Sequence, residues 1–151
     1  MRFLIQRVTR ASVTVDGKLE SKIGNGLLVL VGVAANDSAS DADYLCTKLI
    51  HLRIFPDDRG RMNRSVIEAG GAILLVSQFT LYGDCGKGRR PGFDAAAPAA
   101  LARQLYEYVI SRVRESGLVI QTGIFQAHME VELVNDGPVT LMLESPAAGP
   151  G

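Results

Sequence analysis

Gly26-Leu27-Leu28-Val29-Leu30-Val31-Gly32-Val33 is the stretch that decides the fold class of this chain. A strand with one face in water alternates apolar and polar residues, whereas this run has no polar side chain and is of strand length. It therefore reads as a strand buried on both faces, central in a sheet. Ala72 to Val76 repeats the pattern. Upstream, Arg2 to Val8 and Ser12 to Val15 read as two strand-like pieces. Asp16-Gly17 is a strong hairpin signal before Lys18 to Ile23, so the chain starts as an antiparallel meander. Downstream, Asn36, Asp37 and Ser38 cap a helix in which Ala42, Leu45, Leu49 and Leu52 recur at spacings of three and four. A second amphipathic helix runs from Pro98 to about Glu115, with Leu101, Leu105, Tyr108, Val109 and Val113 on one side and Gly117 as its stop. It is expected beside the first helix. Leu118 to Thr122 follows, then His128 to Val134 and Val139 to Glu144, read as strands paired across a turn at Asn135–Thr140. This order is α+β. Residues 1–144 form one domain, and a Pro/Gly/Ala tail, 145–151, is expected to be disordered.

Composition narrows the function. Of the 151 residues, 47% are hydrophobic and 21% charged, the make-up of a globular domain with a real core. No run approaches the ~20 apolar residues of a membrane helix, and Met1-Arg2-Phe3-Leu4-Ile5 is interrupted by Gln6 and Arg7, unlike a secretory leader. A cytoplasmic protein without membrane contact is expected. Lysine plus arginine equals aspartate plus glutamate at 16 each, so any RNA contact must come from a local patch. Lys87, Arg89 and Arg90 in one loop and Arg59, Arg61 and Arg64 in another are the candidates, and each also reads as a solvated charged loop. Cys46 and Cys85 make neither a disulfide framework nor a zinc site. Cys46 falls in the first helical pattern as core packing, and Cys85 lies in a glycine-flanked loop. There is no metal-ligand cluster, and no cofactor is expected.

Two short stretches carry unusual chemistry. Ser77-Gln78-Phe79-Thr80 stands at the C-terminal end of the buried Ala72–Val76 strand, where a rigid strand opens to solvent. Its hydroxyls equally suit backbone groups where a strand stops. In Asn135-Asp136-Gly137-Pro138-Val139-Thr140, glycine reaches angles closed to other residues and the bond before proline is the one that readily turns cis, so two carbonyls can take an unusual aim. A plain tight turn is the alternative. Residues 83–97 form a long Gly- and Arg-rich loop. No Gly-Lys-Ser/Thr follows its glycines and the helix begins too late, which argues against a nucleoside triphosphate site.

Gln6-Arg7-Val8 with Ala11-Ser12-Val13, Ser77-Gln78-Phe79-Thr80-Leu81, Arg90-Pro91, and Leu133-Val134-Asn135-Asp136-Gly137-Pro138-Val139-Thr140 together resemble the D-aminoacyl-tRNA deacylases. The likeness spans nearly the whole chain before Ser145. It implies a homodimer of mostly antiparallel, β-barrel-like sheets with two amphipathic helices packed on each, and active sites at the subunit interface. The implied reaction is hydrolysis of the ester between a D-amino acid and tRNA, a proofreading step in translation, with aminoacyl-tRNA as partner. Ser77, Gln78, Phe79 and Thr80 correspond to the catalytic floor, whose backbone amides stabilise an oxyanion. Gly137 and Pro138, steadied by Arg7, correspond to a chirality filter that enters the other subunit's pocket and excludes an L side chain. Glycine has no side chain to exclude, so glycyl-tRNA is an expected substrate. Phe125, Ala127 and Met129 match the adenosine-binding segment, and Lys87, Arg89 and Arg90 are candidate tRNA contacts. The chain departs from the family where Ile124 replaces an arginine, Gly92 a serine and His128 an acidic residue. A covalent Thr80 mechanism lacks an obvious base, which favours water assisted by the ribose 2′-hydroxyl. Two rival readings are a non-catalytic dimeric barrel binding tRNA ends or nucleotides, and a cysteine hydrolase built on Cys85 with His128.

Overall fold

In the computed structural model, which describes residues 1–147, the chain forms β1 (Arg2–Val15), β2 (Lys18–Ile23), β3 (Gly26–Gly32), α1 (Ala39–His51), β4 (Phe55–Pro56), β5 (Met62–Arg64), β6 (Ala72–Ser77), α2 (Ala99–Arg114), β7 (Ile120–Thr122) and β8 (Glu130–Glu144). The apolar run is β3, flanked by β1 and β6. Leu27, Val29 and Val31 point into a core shared with the helices, and Leu28 points into a second cluster with Val8, Val13, Leu74 and Val76 inside the curled sheet. That two-sided burial is why the run lacks polar residues. At Gly26 a Cβ would lie 1.9 Å from the Ala72 carbonyl oxygen, so only glycine lets β3 start this close to β6.

The sheet is mixed. β1 pairs antiparallel with β2, β3 and β8, whereas β3–β6 and β6–β7 are parallel. Parallel neighbours need crossovers, and α1 with the β4–β5 hairpin makes one while α2 makes the other. Because β2 contacts β6 and β7, the sheet is nearly closed and barrel-like. Both helices cover the same face: Ala42, Leu45, Cys46 and Leu49 of α1 meet Leu105, Tyr106, Val109 and Val113 of α2. Burial pushes the Cys46 thiol up to about 12, while Cys85 is exposed. The Ser38 N–H donates to Asp41 Oδ2 at 2.8 Å to start α1. Asp37 instead accepts from the Ala34 N–H and the Met1 ammonium, each at 2.6 Å. No helix among the described residues is long and apolar enough to cross a membrane.

Two sequence readings change. Arg2–Val8 and Ser12–Val15 are one 14-residue strand, β1. The segments on either side of Asn135–Thr140 do not pair with each other: both belong to β8 and both pair with β1. Gln6 faces Thr140 and Val8 faces Asn135, so the residues between are extruded from the strand as a bulge. Period-two alternation identifies a strand without identifying its partner, and β1 is long enough to take both halves. On α2, Tyr108 is partly buried against the core with its hydroxyl donating to Asp43 Oδ1 at 2.8 Å, and Tyr106 adds a buried side chain to the same face. Of the tail, Ser145 N–H donates to the Met1 carbonyl at 3.0 Å, and residues 148–151 lie outside the described residues.

Candidate active site

The floor is built by the end of β6. The Gln78 N–H donates to the Val31 carbonyl at 2.8 Å, continuing the β3–β6 ladder past the last strand residue. Phe79–Tyr82 then tightens into a 3-10 turn, with Leu81 N–H on the Gln78 carbonyl at 3.3 Å and Gly83 N–H on the Thr80 carbonyl at 2.9 Å. The leading N–H groups of such a turn have no acceptor within it, and among the described residues those of Phe79 and Thr80 have none elsewhere. The Gln78 amide Nε2 donates to Thr80 Oγ1.

Above this floor lies a cavity of about 560 Å³, lined by Val76–Phe79, by Ala97 just before α2 and Ala99 and Ala102 within it, and by residues 125–129 with Val131. Its size suits a small organic ligand, and its walls are mostly apolar. Phe125 is held from two sides: the Tyr106 ring is 5.9 Å away between centroids, and the Arg103 guanidinium lies 4.6 Å above the ring face. Arg103 also donates to Gln126 Oε1 at 3.5 Å, where Gln126 adopts a left-handed backbone with φ +64. The Leu75 carbonyl accepts both the Tyr106 hydroxyl at 2.9 Å and the Gly123 N–H at 3.0 Å, which ties helix and wall to β6. Burial pushes that Tyr106 hydroxyl above the ordinary tyrosine range.

The second unusual stretch lies elsewhere in the chain. The Gly137–Pro138 bond is cis and both residues are exposed. Asn135 closes the bulge with its side chain: Oδ1 accepts from Val139 N–H at 2.7 Å, and Nδ2 donates to the Val139 carbonyl at 3.2 Å and Thr140 Oγ1 at 3.0 Å. Beneath it, buried Arg7 donates through Nε to the Asp136 carbonyl at 2.9 Å and through Nη1 to the Ile54 carbonyl at 2.6 Å. Gly137 has φ +145, and a Cβ there would lie 2.8 Å from Val139 Cγ2 and 3.0 Å from Val139 N.

A family model described as D-Tyr-tRNA(Tyr) deacylase matches residues 4–144. The chain belongs to this deacylase family. Among curated relatives, a D-aminoacyl-tRNA deacylase of Heliobacterium modesticaldum is 59% identical over 144 residues, covering 95% of this chain and 96% of its own. One of Koribacter versatilis is 57% identical over 145 residues, covering 96% and 97%. A solved structure titled c-Myc DNA Unwinding Element Binding Protein superposes with TM-score 0.92 at 42% identity, covering 97% of this chain and 100% of that one.

On this deacylase-family fold, Ser77, Gln78 and Phe79 line the cavity together with Phe125, Ala127 and Met129. Thr80 is exposed and does not line it, its hydroxyl being engaged by Gln78. Gly137 and Pro138 sit over Arg7 and are not part of their own chain's cavity lining. Lys87, Arg89 and Arg90 are exposed. His128 lines the cavity and Cys85 does not, so the two are not joined there. Sequence reading assigned no role to Asn135, Arg103 or Gln126. Ala99 and Ala102, which line the cavity, and Arg103 and Tyr106, which hold Phe125, share helical spacing, a signal for one stripe of α2. Nothing in the sequence shows that this stripe meets Phe125.

Proposed function

We propose that this deacylase-family protein hydrolyses the ester of D-aminoacyl-tRNA. What carries the reading is the unpartnered N–H of Phe79, a cavity-lining residue, with the unpartnered N–H of Thr80 next to it in the chain. Donors fixed by a buried strand need no reorganisation when charge develops on an acyl oxygen, and two such donors are what a tetrahedral oxyanion requires. The terminal adenine lies against Phe125, Ala127 and Met129, whose apolar contacts hold a base, and this places the 3′-ester over Ser77–Phe79. Water adds to the acyl carbon and the bond from carbon to the ribose 3′-oxygen breaks. That oxygen takes up the proton water gives, with the neighbouring 2′-hydroxyl as relay. Free D-amino acid and tRNA leave, which makes the reaction a proofreading step in translation. Ser77, Gln78, Phe79 and Thr80 act chiefly through position and main-chain donors.

Gly137 and Pro138 serve as the chirality filter of a second subunit in a homodimer. Their exposure, and their absence from their own chain's cavity lining, support action in trans. So do the exposed apolar side chains of Val134, Leu141 and Met142 on the same strand. Backbone carbonyls aimed at the substrate α-carbon obstruct an L side chain and leave a D side chain free. Glycyl-tRNA, with no side chain to obstruct, is hydrolysed too.

Turnover of D-aminoacyl-tRNA is compared between substrates with and without the terminal 2′-hydroxyl, in wild type and Cys85→Ala. The expected outcome is loss with the deoxy substrate and equal rates for the two proteins. Undiminished hydrolysis of the deoxy substrate, or an acyl group trapped on Thr80, overturns the water mechanism. No turnover by wild type overturns the enzymatic reading, and loss confined to Cys85→Ala assigns the chemistry to the thiol.

A further inference from the structure

The loop between floor and α2 begins and ends at the cavity. It leaves the 3-10 turn at Gly83 and returns through Ala97 and Ala99, which line the cavity too. Its neck is fixed by paired bonds, Asp84 N–H to the Gly92 carbonyl at 2.7 Å and Gly92 N–H to the Asp84 carbonyl at 2.8 Å. Just past the neck, Phe93 packs edge-on against Phe79 of the floor, with ring centroids 5.0 Å apart. The tip, 87–90, holds Lys87, Arg89 and Arg90 with no acidic residue among them. All three are exposed and, among the described residues, none forms an ion pair. The other basic loop differs: Arg64 is paired with Asp58 at 2.7 Å, and Asp57 accepts the backbone N–H groups of Arg59 and Arg61. In a chain with no net charge, the 87–90 tip is thus a concentrated positive site on the loop that joins two stretches of the cavity wall.

We propose that Lys87, Arg89 and Arg90 hold the phosphodiester backbone of the single-stranded RNA 3′ end whose terminal adenosine ester occupies the cavity. This rests on the deacylase reading above and adds where the rest of the RNA runs: out over the loop whose two stems are the cavity's own walls. A fixed neck sets the distance from ester to first phosphate, and glycines at 86 and 88 let the tip follow the backbone. Each phosphate neutralised by such a contact releases a counterion, so the site has a salt signature that a merely structural loop lacks.

The test compares wild type with the triple variant K87A/R89A/R90A and the charge-preserving K87R/R89K/R90K. Substrates are D-aminoacyl-tRNA and the phosphate-free D-aminoacyl-adenosine ester, across a salt series. Expected for the triple alanine variant is a drop of roughly 10- to 100-fold in the preference for tRNA over the adenosine ester at low salt, carried by KM. The slope of log kcat/KM against log salt should flatten by up to about 2 for three lost single-strand contacts. The charge-preserving variant keeps most of both. Equal loss on both substrates, or an unaltered salt slope, overturns the assignment. Binding of uncharged tRNA by the same proteins, read by fluorescence anisotropy, is independent of turnover. Should wild type hydrolyse neither ester, the deacylase reading fails, and equal tRNA affinity of wild type and the triple alanine variant separately overturns the loop site.

Discussion

The floor at Ser77–Phe79 continues a strand whose Ile73, Leu74 and Leu75 are fully buried, whereas the Gly137–Pro138 turn bulges from β8, on which Val139 alone is buried. The floor is positioned by ladder hydrogen bonds on β3 and by core packing on both faces. The turn is positioned by two side chains, Arg7 and Asn135, acting on backbone atoms. Floor geometry is therefore inseparable from the stability of the domain, while turn geometry can fail in a protein that stays folded. Local openings of low free energy concentrate where buried contacts are few, as they are along β8.

The largest effect is expected from Leu75→Ala, which removes a fully buried side chain from beneath the floor. A loss of about 2–5 kcal/mol is expected in denaturant melts, and activity should fall only in step with the folded fraction. Activity lost ahead of unfolding would break the contrast. Gly137→Ala is the converse. Its Cβ must displace Val139 from 2.8 Å, and D-aminoacyl-tRNA hydrolysis or D/L discrimination should degrade by roughly 10²-fold, the scale of an ångström-sized misplacement. Circular dichroism should show the native fold. A fully discriminating Gly137→Ala enzyme would separate the turn from chirality.

Arg7→Lys comes next. One ammonium cannot reproduce a fork that spans the Ile54 and Asp136 carbonyls, so about 1–3 kcal/mol is lost where the buried Ile54 carbonyl goes unmet. Discrimination should fall with it. Restoration of both by lysine would show that charge alone, not the two-point grip, holds the turn. Thr80→Val should do least. On the proposed mechanism through main-chain donors, kcat should drop by less than about tenfold, the scale of one neutral hydrogen bond to Gln78. Abolished turnover in that variant would return the hydroxyl to the chemistry.

Much of this was legible in residue order. The polar-free Gly26–Val33 run announced a two-sided central strand, and the three- and four-residue spacing of Ala42, Leu45 and Leu49 announced the buried face of α1. The cavity-lining residues Ser77, Gln78, Phe79, Phe125, Ala127 and Met129 were reached through family resemblance, and the fold brings them together. Asn135 was missed because its work is to mimic a strand partner for Val139, a role that exists only once the bulge is extruded. Arg103 was missed because a charged residue on an amphipathic helix normally reads as solvated, and Phe125 is 22 positions further along the chain.

By itself the sequence determined the two helices and the apolar strands β3 and β6, which faces are apolar, and where Gly-Pro and the polar strand end stand. These depend on local propensity and periodicity, both properties of neighbouring residues. Only the tertiary structure decided that β8 lays both its halves along β1, that β6 and β7 enter the sheet in parallel, and that the floor and the Gly-Pro turn of one chain do not share a cavity. Partner choice is a long-range outcome of packing two helices on one face of a curled sheet, and no period along the chain encodes it.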